Sequence, residues 1–88
     1  MRYKIVFSER FKKIVDKLDN TTYNLLNKWI AKHLIECEDP KQYGKALSAD
    51  LKGLWRYRIG NNRLIVKIED DKLIVLLIDF GPRSNIYK

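Results

Sequence analysis

The chain has 88 residues, of which 33% are charged and 45% hydrophobic, a balance typical of a folded domain and not of a disordered chain. Lysine and arginine number 18 against 11 aspartate and glutamate residues, so the net charge is +7, which favours nucleic acid, an anionic membrane or an acidic protein as partner. The single cysteine, Cys37, excludes an internal disulfide and fits a reducing compartment. The longest apolar run has six residues (73–78), whereas a membrane span needs about 20. We therefore expect one soluble, cytoplasmic domain over residues 1–88.

The first half of the chain is predicted to form a strand and two helices. Side chains alternate over residues 3–7, which indicates a short strand. Ser8 stands where an N-cap is needed, and apolar residues then recur at helical spacing over residues 11–18. The segment DNTT at 19–22 provides a turn and further N-caps for a second helix, which is predicted to continue through Cys37 until Pro40 ends it. Two helices joined by so short a loop form an antiparallel hairpin.

The second half is predicted to be mainly strand. Residues 41–52 are basic and without a clear period, so we expect an irregular segment there. Three strands follow, with turns at 60–62 and 70–71, over the segments LWRYRI, RLIVKIE and KLIVLLIDF. The last is apolar at nearly every position, so it should lie inside the sheet with both faces covered. The predicted fold is α+β, in the order β-α-α-β-β-β, with the helical hairpin on one face of a small, mostly antiparallel twisted sheet. The first strand has a connection long enough to lie parallel beside the last.

Arginines on the predicted hairpin form a candidate anion site. If Gly60 and Asn61 make a two-residue turn, Arg58 lies directly across from Arg63, with Arg56 two residues further along the same face. Like charges opposed in this way destabilise a sheet, so folding alone does not account for them. One interpretation is an ordinary solvated sheet face. The other is a phosphate site, because guanidinium groups donate to phosphate oxygens in pairs.

Two residues after the last strand extend this candidate site, and few other groups in the chain offer chemistry. Arg83 and Tyr87 follow the strand that should neighbour the arginine hairpin, and Tyr87 either packs or stacks on a base. One histidine and one cysteine are too few for a typical metal site, and no phosphate-binding or dinucleotide motif occurs. We therefore expect no cofactor. His33 falls on the second helix and is predicted to be partly buried, far from the arginines, and not to act as a base.

Two motifs carry a resemblance to a known family. The run LKGLWRYRIGNNRLIV and the ending DFGPRSNIY resemble the RelE/ParE toxin superfamily of type II toxin–antitoxin systems, and most closely its RelE branch. The resemblance covers essentially the whole chain. It implies a ribosome-dependent, metal-independent endoribonuclease that cleaves mRNA in the A site by attack of the neighbouring 2′-hydroxyl. This reaction needs a base, an acid and positive charge for the phosphorane.

The resemblance assigns roles to individual residues. Arg63 and Arg83 match arginines that hold the reacting phosphate, and Tyr87 matches a C-terminal tyrosine that orients the substrate. Arg56 and Arg58 fall where some members have lysines that bind phosphate and assist proton transfer. Further cations are assigned to RNA binding: Lys45, Lys52, Lys67 and Lys88.

Three departures from the family pattern leave the general base open. Arginine does not lose its proton in proteins, so Arg58 is a poor base. A histidine common in relatives is replaced by Pro82, and the glutamate that one branch carries shortly after its Gly-Lys pair is missing after Gly44 and Lys45. Lys45, Lys52, Lys67 or a ribosomal group could serve instead.

The implied partners are an acidic, RelB-like antitoxin and the mRNA-loaded ribosome, with no membrane. Two alternatives stay open: a ParE-like inhibitor of DNA gyrase, favoured by the missing base, and a non-catalytic RNA-binding module.

Overall fold

Two α-helices lie against one face of a five-stranded sheet in the computed structural model, which describes residues 2–47 and 53–82. A short 3₁₀ helix, Pro40–Tyr43, precedes the second strand. The helices and strands in chain order are β1 (Lys4–Phe7), α1 (Glu9–Asp16), α2 (Asn20–His33), β2 (Lys45–Ala46), β3 (Leu54–Ile59), β4 (Asn62–Glu69) and β5 (Ile74–Pro82). The predicted α+β fold is confirmed, with one strand more than expected.

The order of strands across the sheet is β1-β5-β4-β3-β2. β1 runs parallel to β5, and the other neighbouring pairs are antiparallel. β5 therefore lies inside the sheet, as its apolar sequence predicts. Ile59 pairs with Asn62, so Gly60 and Asn61 form the expected two-residue turn. Gly60 has a φ of +60°, which this kind of turn demands and which glycine adopts without steric cost.

Both helices begin at side-chain caps. The Ser8 hydroxyl accepts a hydrogen bond from the Phe11 amide at 3.0 Å, and the Asp19 carboxylate accepts one from the Thr22 amide at 3.2 Å. The core between helices and sheet is one cluster of buried side chains: Phe11, Leu26, Ile30, Leu34, Tyr57, Ile59, Leu64, Val66, Ile68, Val75, Leu77 and Phe80. The opposite face of the sheet carries the basic residues of β3 and β4 together with the buried Ile65.

The second helix ends earlier than predicted. α2 ends at His33, not near Pro40, and the Leu34 and Ile35 amides both donate to the Ile30 carbonyl, at 2.8 and 3.0 Å. Glu36 then takes a left-handed conformation with a φ of +59°, which a helix cannot contain. Glycine is the usual residue at such a helix end, and a glutamate in its place does not mark the end of a helix in a sequence.

The predicted irregular segment, 41–52, is wrong for the 3₁₀ helix and for β2, and its residues 48–52 lie outside the described part of the chain. The last strand also begins two residues later than predicted, because residues 70–73 form a four-residue turn between Glu69 and Ile74. Leu73 completes this turn with a φ of +55°. β4 and β5 further change register between Ile65 and Val66 through a bulge. Periodicity alone signals neither feature.

Asp70 connects the β4–β5 turn to two other parts of the chain. The Tyr3 hydroxyl donates to one carboxylate oxygen at 2.6 Å, and the Lys41 ammonium donates to the other at 2.7 Å. The hydrogen bond from Lys41, followed by that from Tyr3, lowers the pKa of Asp70 below its usual value. The charged form of Asp70 therefore stabilises the folded state.

We expect the substitution Asp70→Asn to lower the free energy of unfolding by less than about 1 kcal/mol at neutral pH, since the ion pair is largely exposed. Because the folded-state pKa is the lower one, this contribution is complete above the unfolded-state pKa of about 4 and disappears as the pH falls further. Urea unfolding of both proteins between pH 7 and pH 3 measures the difference. A gap that stayed constant to pH 3 would contradict the assignment.

Candidate functional site

Three arginines lie on the sheet face that the helices leave open. Arg58 pairs with Arg63 across β3 and β4, and Arg56 pairs with Ile65, as the turn at Gly60 predicts. Directly opposed residues of an antiparallel pair share a face, with Cβ atoms about 4.5–5.5 Å apart. The register therefore places Arg58 and Arg63 next to each other on this face, with Arg56 in the next residue pair on the same face.

Two of these arginines, Arg56 and Arg58, line a groove beside β3 together with a lysine. Lys45 of β2 lies directly across from Arg56. The groove has a volume of about 360 Å³ and is lined by Gln42, Tyr43, Gly44, Lys45, Arg56 and Arg58. Its described lining carries three positive charges and no carboxylate. This arrangement suits an anion with several oxygen atoms, such as a phosphate.

The wall of the groove is fixed to the sheet by the 3₁₀ helix. Asp39 caps this helix by accepting from the Lys41 amide at 3.2 Å, and the buried Tyr57 hydroxyl donates to the Pro40 carbonyl at 2.7 Å. Burial raises the pKa of Tyr57, so its hydroxyl stays protonated and able to donate. At Gly44 an added Cβ would lie 2.6 Å from the Arg56 carbonyl oxygen and 2.8 Å from the Tyr57 ring. Only glycine allows this close approach. The backbone at Gly44 therefore packs directly against β3, which fixes the position of the segment between the 3₁₀ helix and β2.

The other predicted residues are divided between distant positions and segments outside the described residues. Lys67 is exposed and pairs with Leu54, four residues along β4 from Arg63, which is about 13 Å at the usual rise per residue. It does not line the groove. Arg83, Tyr87, Lys52 and Lys88 lie outside the described residues, so their assigned roles stay predictions. Within residues 2–47 and 53–82, no three potential metal-ligating side chains of His, Cys, Asp or Glu come together.

His33 is half-buried at the end of α2, as predicted. Its Nδ1 lies 3.1 Å from the Trp29 carbonyl oxygen, to which it can donate a hydrogen bond. His33 does not line the groove, but it contacts a residue that does. The His33 ring lies 4.7 Å from the ring of Tyr43, which itself lines the groove.

Sequence reasoning missed Tyr43 and Gln42. Pro40 and Gly44 are the residues that could have indicated this part of the site, because proline and glycine typically bound a turn or a short compact segment. Periodicity could not show which way the residues between them face.

Comparison with known proteins identifies the family. The family model of the ParE toxin of type II toxin–antitoxin systems, parDE, matches residues 5–87. The chain belongs to this toxin family. The predicted resemblance to the RelE/ParE superfamily is thereby confirmed.

Solved structures agree with this toxin's fold. The toxin–antitoxin complex RelBE2 from Mycobacterium tuberculosis matches at 22% identity with a TM-score of 0.81, over 97% of this chain and 95% of that chain. The isolated RelE toxin of E. coli matches at 25% identity with a TM-score of 0.72, over 97% and 90%. An E. coli RelE variant with two arginine-to-alanine substitutions, bound to a RelB peptide, matches at 26% identity with a TM-score of 0.70, over 100% and 97%. Comparison with curated proteins gave no match. None of the toxin's described helices is long and apolar enough to cross a bilayer.

Proposed function

We propose that this toxin is a ribosome-dependent endoribonuclease that cleaves mRNA in the A site. A 2′-hydroxyl loses its proton and attacks the adjacent phosphate, and the bond from phosphorus to the 5′-oxygen of the next nucleotide breaks as that oxygen takes up a proton. The observation that carries the proposal is the groove in which Lys45, Arg56 and Arg58 converge, with Arg63 directly across from Arg58. Guanidinium groups bind phosphate oxygens in pairs. Cations that are already in place stabilise the extra negative charge of the phosphorane without reorganising during the reaction.

Each cation has a distinct role in this proposal. Arg63 and Arg83 hold the reacting phosphate, Arg56 and Arg58 stabilise the developing charge, and Tyr87 orients the substrate. Of the three cations lining the groove, Lys45 alone can lose a proton, so we assign proton transfer to it. The position of Lys67 on β4, away from the groove, makes it a weaker candidate for this step.

The proposed partners are the mRNA-loaded ribosome and an acidic, RelB-like antitoxin, in the cytoplasm, with residues 1–88 acting as one domain. Several of the solved relatives are complexes with a RelB-type antitoxin or a RelB peptide. A net charge of +7 favours an acidic partner. Large apolar side chains that a partner could cover remain exposed on the helical side, among them Phe7, Tyr23 and Leu25.

Primer extension on mRNA in a purified translation system tests the proposal. Wild-type toxin is expected to give discrete cuts that require ribosomes. The variant Arg83→Ala should give none, whereas Lys13→Ala, on the exposed side of α1, should cut as the wild type does. Cuts that persist without ribosomes or with Arg83→Ala would contradict the proposed mechanism.

A second candidate function is inhibition of DNA gyrase, which the match to the ParE family model favours. Intact mRNA together with inhibited supercoiling by purified gyrase would support that function in place of cleavage. RNA binding without either effect would leave only a non-catalytic RNA-binding module.

A further inference from the structure

Tyr43 and Gln42 line both the cationic groove and a second cavity. That cavity has a volume of about 420 Å³ and is also lined by His33 and Cys37. The Tyr43 side chain is 43% exposed although it sits on a segment that is closely anchored to the sheet. An aromatic ring in this position offers a flat apolar surface next to three cations.

The Tyr43 ring packs against a cluster of aromatic side chains. His33 meets it edge to face, with centroids 4.7 Å apart and an interplanar angle of 70°. Trp29 lies 4.5 Å from His33 and 4.9 Å from the buried Tyr57, measured between ring centroids. Because Tyr57 also fixes Pro40 and leaves no room beside Gly44, both the ring and its backbone have little freedom. Binding to such a ring costs little conformational entropy.

We propose that Tyr43 stacks against one base of single-stranded RNA while Arg56 and Arg58 bind the phosphate of the same nucleotide. This inference deepens the proposed function, on which it rests, by naming how the groove holds its substrate. A nucleotide combines a flat aromatic face with an anion, and aromatic side chains beside cations are the usual means of binding single-stranded RNA. The groove volume of about 360 Å³ is within the range of small-molecule sites.

Gln42 extends the match to the base itself. Gln42 lines both cavities beside Tyr43, and a glutamine side-chain amide can donate and accept at the same time. These are the groups needed to contact the polar edge of a stacked base. An acidic side chain would also bind the cations, but a carboxylate has no flat aromatic face to stack on the ring.

Paired titrations separate the base from the phosphate. Purified toxin is titrated with adenosine 5′-monophosphate and with ribose 5-phosphate, which differ only in the base, and binding is followed by NMR chemical shifts. We expect wild-type toxin to prefer the nucleotide by roughly five- to a hundredfold, the usual contribution of one stacked base. Tyr43→Leu should lose this preference, and Tyr43→Phe and Tyr43→Trp should keep it. Arg58→Ala should weaken both probes alike.

Tyr23→Phe and Tyr23→Leu are the matched controls, because Tyr23 is exposed to a similar degree, 40%, but lies on α2 away from the groove. Both should keep the wild-type preference. Equal affinity of wild-type toxin for the two probes, binding of neither, or an unchanged preference in Tyr43→Leu would overturn the inference. These titrations require no ribosome and no cleavage. If the nucleotide preference depends on Tyr43 but the toxin leaves mRNA intact, the stacking site is retained and the nuclease is rejected. If the toxin cleaves mRNA but shows no such preference, the nuclease is retained and the stacking site is rejected.

Discussion

The double variant Arg56→Ala, Arg58→Ala is expected to lose mRNA cleavage by at least about a hundredfold, the usual cost of removing one preorganised donor from a developing negative charge. The two side chains line one groove and would act on one phosphate, so their effects should not multiply. Single-turnover cleavage in a purified translation system gives the rate, and growth after induction gives the effect in cells.

The fold of this variant should remain intact. Arg58 is exposed and lies across from Arg63, and removing one of two opposed like charges stabilises a strand pair. We expect a melting temperature at or slightly above that of the wild type. A clear fall would show that these arginines are structural.

A matched variant controls for net charge. Lys13→Ala with Lys17→Ala also lowers the charge from +7 to +5, but both residues belong to α1 and its C-cap, on the other side of the sheet. This variant should cleave at close to the wild-type rate. An equal loss in both double variants would mean that overall charge, and not the groove, determines activity.

The largest effect on stability is expected from Tyr57→Ala. The side chain is fully buried, its ring lies 4.9 Å from Trp29, and its hydroxyl bonds to the Pro40 carbonyl. Removing a buried aromatic ring costs about 3–5 kcal/mol, a large part of the 5–15 kcal/mol that stabilises a typical domain. Urea denaturation followed by circular dichroism should show a much lower midpoint or no folded baseline.

Tyr57→Phe isolates the hydrogen bond, because the ring stays and only the hydroxyl is lost. The Pro40 carbonyl would lose its donor, which costs about 1–3 kcal/mol, and the 3₁₀ helix would be held less firmly. Tyr23→Phe, at an exposed position, should change the free energy of unfolding by no more than about 0.5 kcal/mol. Equal stability of Tyr57→Phe and wild type would show that this hydrogen bond does not anchor the segment.

The parts of the fold that follow from local patterns are predictable from the sequence. The bounds of β3, the two-residue turn at Gly60 and the opposition of Arg58 and Arg63 all come from a period of two and one turn signal. The end of α2 is different, because Glu36 takes a conformation that its own side chain does not favour. β2 is only two residues long and has no period to detect. Such features are determined by contacts with the rest of the fold.

The candidate site also contains residues that local sequence patterns predict and residues that they do not. The faces of Arg56, Arg58 and Arg63 follow from strand parity, which depends on neighbouring residues alone. Tyr43 reaches the groove because Tyr57, fourteen residues later, fixes the segment through Pro40 and Gly44. No local pattern contains that information.

The parallel pairing of β1 with β5 has a consequence for the time at which the toxin becomes active during its own synthesis. Lys4 pairs with Ile74, seventy residues later in the chain. β1 is synthesised first, but it cannot pair until β5, the last described strand, has been synthesised. Pairing over such a distance slows folding, because the entropy cost of closing a long loop comes before any favourable contact forms. The arginine hairpin of β3 and β4 is synthesised earlier, but β4 packs along β5 over its whole length. A nascent toxin therefore cannot complete the sheet that supports its groove until β5 has left the ribosome that makes it.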